Sequence, residues 1–337
     1  MTLLDRHISL AHGNGGRYMR ELIESLFARH LKNPNLDIQA DAALLPGLDG
    51  GDLLFTTDGF TVQPLEFPGG DIGSLAVHGT TNDLAVSGAI PKYLSLNAFI
   101  EEGFEVALLE RIIKSIAEAA SAVEVDVVAG DTKVVRKGEG GGIYLATTGI
   151  GIRDQRLKLG MKQIQAGDKI LVSGPVGDHG IAVMLAREAF GLRGDLQSDA
   201  GSVLPYTQAL LDLPGLRFMR DPTRGGVATV AHEICHATGL QIRLDQTAIP
   251  VRDPVNSVCD MLGYDPLFLA CEGRVVATVD TNQANEALFR WKNLPGGNHA
   301  ALIGETRQDD PYVILETELG GARILEELED DPLPRIC

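Results

Sequence analysis

The sequence predicts a two-domain protein of mixed class, an α/β half followed by an α+β half, and three observations carry that prediction. The chain has 337 residues, about twice the length of an average domain. Its first half alternates strand-like and helix-like periodicity, as layered α/β structures do. The pattern weakens between Ile152 and Gly167 and then starts again, so residues 1–155 and 156–320 are read as the two domains. Residues 321–337, acidic and then proline-bearing, are read as a flexible tail.

Composition narrows the function classes. Hydrophobic residues make up 44% of the chain and charged residues 22%, enough apolar material for two cores. With 29 basic against 46 acidic residues the net charge is -17, which argues against nucleic acid or an anionic membrane, since both demand basic patches. An anionic nucleotide bound by such a chain needs a cation to mediate. No apolar run of membrane-spanning length occurs, and Asp5, Arg6 and His7 stand where a signal peptide needs its apolar core. The expected compartment is the cytoplasm. Cys235, Cys259, Cys271 and Cys337 form no CxxC pair and no zinc-like spacing, which suits a reducing environment. Cys235 lies in an apolar run and reads as core, whereas Cys337 reads as exposed.

In chain order, His12-Gly13-Asn14-Gly15-Gly16 precedes a helical pattern (Tyr18, Leu22, Leu26). Such glycines can cradle phosphate oxygens at a helix N-terminus, and they are equally compatible with a plain loop. Asp52 to Gly59 reads as a strand delivering Asp58 at its end. Ile72 to Gly88 reads as a helix interrupted by Thr80-Thr81-Asn82-Asp83, four poor helix formers whose local cost marks either a site or a solvent-facing stripe. Tyr93 to Ile100 is a strand, Val106 to Val123 an amphipathic helix, and Val125 to Ala129 a buried strand. At its exit Gly130-Asp131-Thr132-Lys133 combines an acid, a hydroxyl and a lysine, the set that holding a metal–triphosphate requires. Lys137 to Gly142 reads as a hairpin turn before the returning strand Ile143 to Gly151.

The second half reads as a strand (Lys169 to Ser173), a glycine loop (Gly174 to Gly180) and a helix (Ile181 to Phe190). Leu216 to Arg220 is a strand ending at Asp221-Pro222-Thr223-Arg224-Gly225-Gly226, which opens the helix Val227 to Thr238. Leu267 to Glu272 is read as an apolar strand ending on a carboxylate. Val275 to Val279, Asn282 to Trp291, Ala300 to Gly304 and Tyr312 to Leu315 complete the domain, and Glu316 to Asp331 reads as a helix-prone spacer.

Asp41, Asp58, Asp83, Asp131 and Asp221 each end an apolar segment or interrupt a helix. Singly each fits a cap or turn; converging on one cleft they would supply the hard oxygens that Mg²⁺ takes. In Asp331 to Cys337, Pro332 and Pro334 favour an extended arm rising about 3.1 Å per residue. Leu333 and Ile336 offer apolar anchors and Arg335 a charge for a phosphate or carboxylate. That segment fits a solvated end or an arm built to dock.

The motifs His12-Gly13-Asn14-Gly15-Gly16, Asp41-Ala42-Ala43, Thr57-Asp58-Gly59, Asn82-Asp83-Leu84-Ala85, Gly130-Asp131-Thr132-Lys133, Ser173 to Gly180 and Asp221 to Gly226 resemble the aminoimidazole ribonucleotide synthetase superfamily. That superfamily also holds selenophosphate synthetase and thiamine-monophosphate kinase. The ending Pro334-Arg335-Ile336-Cys337 is similar to its hydrogenase-maturation carbamoyl dehydratase branch, and the resemblance covers essentially the whole chain.

The resemblance implies that superfamily's two-domain fold with a flexible C-terminal tail, a homodimer formed through the N-terminal sheet, and ATP with Mg²⁺ between the domains and across the dimer interface. It implies a carbamoyltransferase, HypF, that loads Cys337, ATP-dependent dehydration of the S-carboxamide to an S-cyanide, and a HypC–HypD complex as cyanide acceptor. Asp41, Asp83 and Asp221 are then the expected metal ligands. Gly13, Asn14, Gly15, Asp58, Asn82, Asp131, Thr132 and Lys133 are the expected nucleotide contacts. Lys133 would neutralise charge during transfer, and Glu272 would act as base, with His12 or His179 behind it.

Overall fold

The alternation that marks the first strand in the sequence is kept in the structure, a computed structural model that describes residues 6–9, 12, 21–34, 51–187 and 194–327. β1 (Asp52–Phe60) turns Leu54, Thr56, Asp58 and Phe60 inward and Leu53, Phe55 and Thr57 outward. The two-residue strands β2 (Glu66–Phe67) and β3 (Gly70–Asp71) lead into α1 (Ile72–Val86). Asp71 accepts from the N–H groups of Gly73 and Ser74, while Ser74 Oγ accepts from the N–H of Asp71, a capping box that fixes where the helix starts.

β4 (Ala89–Glu101), α2 (Val106–Ala122) and β5 (Asp126–Val135) make a parallel strand–helix–strand unit, and β6 (Ile143–Arg153) inserts antiparallel between β1 and β4. The sheet order is β1-β6-β4-β5. Two expectations are corrected here. Lys137 to Gly142 form no hairpin turn, because β5 pairs with β4 and the chain must cross to the far side of β4 to begin β6. Gly130 to Lys133 lie inside β5, paired with Leu96 to Phe99, and not in a loop at a strand's exit.

α1 and α2 cover one face of this sheet, packing Ile72, Leu75, Leu109 and Ile113 on Leu94, Leu96, Ile100 and Leu145. Full burial of each large side chain contributes about 1.5–3 kcal/mol. The opposite face is bare in the single chain. Phe55 is 68% and Leu53 62% exposed, and Ile90, Phe99 and Tyr144 are exposed with them. Cross-strand register sets Phe99 between Tyr144 and Lys133, so Lys133 and, two residues earlier, Asp131 belong to this bare face.

The second sheet runs β13-β12-β9-β11-β7-β10-β8, antiparallel except for β12 on β9. Its strands are β7 (Lys169–Val172), β8 (Leu216–Arg220), β9 (Gln241–Asp245), β10 (Val276–Val279), β11 (Ala301–Arg307), β12 (Val313–Glu316) and β13 (Ala322–Ile324). Its helices are α3 (Asp178–Ala186), α4 (Leu204–Gln208), α5 (Gly226–Thr238), α6 (Asp253–Leu262) and α7 (Ala284–Lys292). Ala85 and Val86, at the end of α1, sink into this lobe's core with Leu171, Met219 and Val275. α1 is therefore a wall shared by both lobes.

Leu267 to Glu272, expected as a strand, is a 3-10 turn (Pro266–Phe268) followed by an irregular segment. Pro266 lacks a donor, and the backbone beyond it bonds to several different elements instead of one ladder. The helix-prone spacer is corrected as well. β13 pairs with β12, Leu325 is wholly buried, and the N–H of Leu325 donates to Val313 at 2.8 Å. The second sheet thus continues past residue 320, and Cys337 lies outside the described residues. Among the described residues no helix is long and apolar enough to cross a membrane.

Candidate active site

The four poor helix formers of α1 mark the place where the lobes meet. Thr80, Thr81 and Asn82 are buried, so the solvent-facing reading of this stripe is corrected. Thr80 Oγ1 bonds to Thr147 Oγ1, and Thr81 Oγ1 donates to Val77 O at 2.9 Å. Asn82 Nδ2 donates to the carbonyls of Gly201 (3.0 Å) and Glu272 (3.2 Å), while its Oδ1 accepts from the N–H of Val203 at 2.9 Å. Asp83 Oδ2 accepts from Thr56 Oγ1 at 3.0 Å. These bonds offset the poor helix propensity, since each buried polar group is satisfied.

The segment carrying Glu272 is held from several sides. Asp199 accepts from the N–H groups of Glu272 and Gly273, both at 3.2 Å, and the N–H of Cys271 donates to Pro222 O at 3.0 Å. Gly226, with φ of +59°, opens α5 against this segment; a Cβ there would stand 2.5 Å from Leu267 O and 2.6 Å from Leu269 O. Only glycine permits that approach. The loop after β8 and the loop before β10 are thereby clamped together, with Asp221 on one and Glu272 on the other.

Between the lobes opens a cleft of about 440 Å³, and Asp58, Asp83, Asp221, Glu272, Arg220 and Arg224 all line it. Asp58 comes from the end of β1, Asp83 from the last turn of α1 and Asp221 from the loop after the edge strand β8, so three parts of the fold converge. Burial raises Asp83, with the charge of Asp58 adding to it against the Thr56 hydrogen bond. Burial and then the charge of Asp83 push Asp221 up to about 7. Burial first, and then Asp221, Asp199, Asp58 and Asp83, push Glu272 up to about 8. Arg220 pairs with Glu233, a fifth acid lining the cleft, at 2.9 Å; among the described residues no lysine or arginine forms an ion pair with Asp58, Asp83, Asp221 or Glu272, although the charge of Arg220 works against the rise of Asp83 and Asp221. Clustered carboxylate oxygens lacking a cation are the donor set of a hard divalent ion such as Mg²⁺, whose charge would let them ionise.

Of the residues expected at the site, Asp58, Asp83, Asp221 and Glu272 are brought together. Asn82 stands behind the wall as the clamp just described. Asp131 and Lys133 do not line this cleft; they pair with each other at 3.1 Å, more than half exposed, on the bare sheet face. Thr132 is buried and lines a separate cavity of about 190 Å³ with Ile23, Phe27 and Leu31. His12 and His179 are wholly buried and do not line the cleft: His12 Nδ1 bonds to Ser9, and His179 Nδ1 to Ser198 Oγ at 2.8 Å. Burial pushes His179 down to about 4. Asp41, Gly13, Asn14, Gly15 and Cys337 lie outside the described residues.

Sequence reasoning passed over Thr56, Arg220, Thr229 and Glu233. Their signals were periodicities: Thr56 precedes Asp58 by two on one strand, so both face inward, and Thr229 and Glu233 are one helical turn apart.

Comparison with known proteins agrees with this architecture. The model for the AIR synthase related protein, N-terminal domain, matches residues 39–153, and the model for its C-terminal domain matches residues 165–316. The chain is 43% identical to carbamoyl dehydratase HypE of Azotobacter vinelandii, over 100% of this chain and 99% of that protein. It is 44% identical to carbamoyl dehydratase HypE of Escherichia coli (strain K12), over 98% and 99%. The crystal structure of hydrogenase maturation protein HypE in complex with ATP superposes with a TM-score of 0.92 at 41% identity, covering 98% of this chain and 99% of that one. HypE in a HypE–HypF complex superposes with a TM-score of 0.80 at 43% identity, covering 91% and 99%. Thiamine monophosphate kinase from Aquifex aeolicus, at 16% identity and a TM-score of 0.61, shares the fold. A cleft of converging acids between two such lobes, together with identity of this level along the full chain, leads to one conclusion: the chain belongs to the carbamoyl dehydratase HypE family of AIR synthase related proteins.

Proposed function

We propose that this protein is an ATP-dependent carbamoyl dehydratase that converts an S-carboxamide on its own Cys337 to an S-cyanide, and so supplies the cyanide ligand of iron in NiFe hydrogenase maturation. The observation that carries the reading is the cleft in which the buried Glu272 stands beside Asp58, Asp83 and Asp221. ATP is a substrate, supplying the phosphoryl group that turns the amide oxygen into a leaving group. Asp83 and Asp221, with Asp41 from outside the described residues, are the proposed Mg²⁺ ligands, and the Mg²⁺ they hold would neutralise the triphosphate. Asp58 is proposed as a further nucleotide contact, and Gly13, Asn14 and Gly15 as its phosphate cradle.

The amide oxygen takes the γ-phosphoryl group as its bond to ADP breaks; the carbon–oxygen bond of the S-carboxamide then breaks, oxygen leaves with phosphate, and nitrogen gives up two protons as the triple bond forms. Glu272 is the proposed acceptor of one of these protons, and the departing phosphate carries the other. Its affinity for a proton, matched to neutral pH by burial and by its acidic neighbours, suits general base chemistry.

Lys133 and Asp131 lie on the sheet face whose exposed Phe55 and Leu53 fit a self-association surface. We infer a homodimer closed through that face, within which Lys133 and Asp131 reach nucleotide across the interface. Thr132 points the other way, and its proposed contact is restricted to its backbone. The structure of a HypE–HypF complex supports HypF as a partner; HypF is the proposed carbamoyl donor and a HypC–HypD complex the proposed acceptor, all in the cytoplasm. The domain division proposed, extended to hold β13 and Leu325, is 1–155 and 156–325, with Cys337 carried on the segment that follows.

Mass spectrometry of the peptide containing Cys337, after incubation with HypF, carbamoyl phosphate and ATP, tests the reading. A carbamoyl adduct that loses water only when this protein has Mg²⁺ and ATP is expected; an unmodified Cys337 overturns it.

A further inference from the structure

Helix α5 carries a second cluster, beside the face that lines the cleft. His232 and His236 stand one turn apart, their ring centroids separated by 6.0 Å. Glu327 meets them from the segment after β13, and one ligand atom from each of the three lies within 4.8 Å of the other two. His236 Nε2 and Glu327 Oε2 are 3.8 Å apart, too far for a hydrogen bond. Two atoms bound at 2.0–2.2 Å to one tetrahedral ion sit about 3.3–3.6 Å apart, so modest side-chain rotation would close the set around a metal.

His232 gives the second, independent observation. It is only 8% exposed; its ring meets the backbone of Leu325 and Glu326, while its Nε2 has no hydrogen-bond partner of good geometry among the described residues. A buried nitrogen left without a partner is costly, and a metal bond removes that cost. The scaffold is rigid on both sides: α5 fixes the histidines, and the burial of Leu325 two residues earlier fixes the approach of Glu327.

We propose that His232, His236 and Glu327 form a binding site for a divalent transition-metal ion of the Zn²⁺ type, with water completing the coordination. Two imidazoles and a carboxylate suit Zn²⁺, whereas the all-carboxylate cleft suits Mg²⁺, so the two sites select different ions. Metal at this site pins the chain at residue 327 to α5.

The test uses full-length protein without a histidine tag, stripped with chelator and supplied with excess Mg²⁺ to fill the carboxylate cleft. Calorimetric titration with Zn²⁺ is expected to give one ion per chain, and Co²⁺ to give the visible absorption of a four-coordinate site. Removing even a supporting residue of a metal site costs about 10–100-fold in affinity. His236→Ala and Glu327→Gln, both at exposed positions, are therefore expected to weaken Zn²⁺ at least 10-fold while the metal-free melting curves stay unchanged. Absence of Zn²⁺ binding in the presence of Mg²⁺ would overturn the proposal. So would unchanged affinity in the His236→Ala/Glu327→Gln double variant, which would put the ion elsewhere.

Discussion

Asn82 Nδ2 lies 3.2 Å from the carbonyl oxygen of Glu272, a hydrogen bond that spans 190 residues of sequence and ties a helix of one lobe to a loop of the other. The same side chain bonds to Gly201 and Val203. Asn82→Ala leaves those partners unsatisfied, and an unsatisfied buried group costs about 1–3 kcal/mol. A lowered urea midpoint is expected, with turnover falling because Glu272 loses its backbone support. An unchanged midpoint would show that the clamp is idle.

Glu272→Gln keeps the size and the backbone bonds of the residue and removes its ability to take a proton. A positioned general base contributes about 10²–10⁴-fold to rate, so loss of that order in nitrile formation is expected, while ATP still binds. Carbamoylated Cys337 should accumulate in the mass spectrum, and normal conversion would exclude Glu272 as the base.

The raised acids make a prediction about pH. Glu272 moves from 4.5 to about 8 and Asp221 from 3.8 to about 7, so the metal-free folded state holds protons that the unfolded chain releases. Stability from these groups is present at low pH and is lost as pH rises through 7 and 8. His78 and His179, both pushed down to about 4 by burial, act in the opposite sense but only below about pH 6.5. The expected result is a urea midpoint that falls between pH 6.5 and about 8 in chelator and levels off above that, and that falls less in Mg²⁺. A rising midpoint in chelator would contradict the electrostatics of the cleft.

Phe55→Glu, on the bare sheet face, is expected to convert the proposed homodimer to monomer in analytical ultracentrifugation. A like-charge pair in such an interface costs several kcal/mol. The melting temperature of the monomer should change little, because Phe55 is 68% exposed in the single chain. A dimer that survives the substitution would move the interface to another face.

Most strands and helices were legible because their periodicity is local: β1, α1, α2 and α5 follow from spacing alone. What stayed hidden was long-range. No local pattern says that β6 slides between β1 and β4, so Lys137 to Gly142 passed for a hairpin and Asp131 and Lys133 for residues at a strand's exit. Likewise, Leu267 to Glu272 has the composition of a strand, and only its bonds to Asp199, Pro222 and Asn82 keep it out of a ladder. Asp58, Asp83, Asp221 and Glu272 were found because each ends or interrupts an apolar run. Thr80 to Asp83 registered as a helix anomaly, and its role as a joint between lobes needed the second lobe to be seen.

The buried Leu325 sets a leash. Nine residues lie between Glu327 and Cys337, so the ten steps from one to the other span at most about 35 Å at full extension, and the leash starts beside α5, whose Thr229 and Glu233 line the cleft. Where a tether of that length can span to the cleft, the group it carries meets the cleft at a local concentration on the order of millimolar. An S-carboxamide on Cys337 would therefore need only weak intrinsic affinity to occupy the cleft, and the resulting S-cyanide, equally weakly held, would be free to leave for an acceptor.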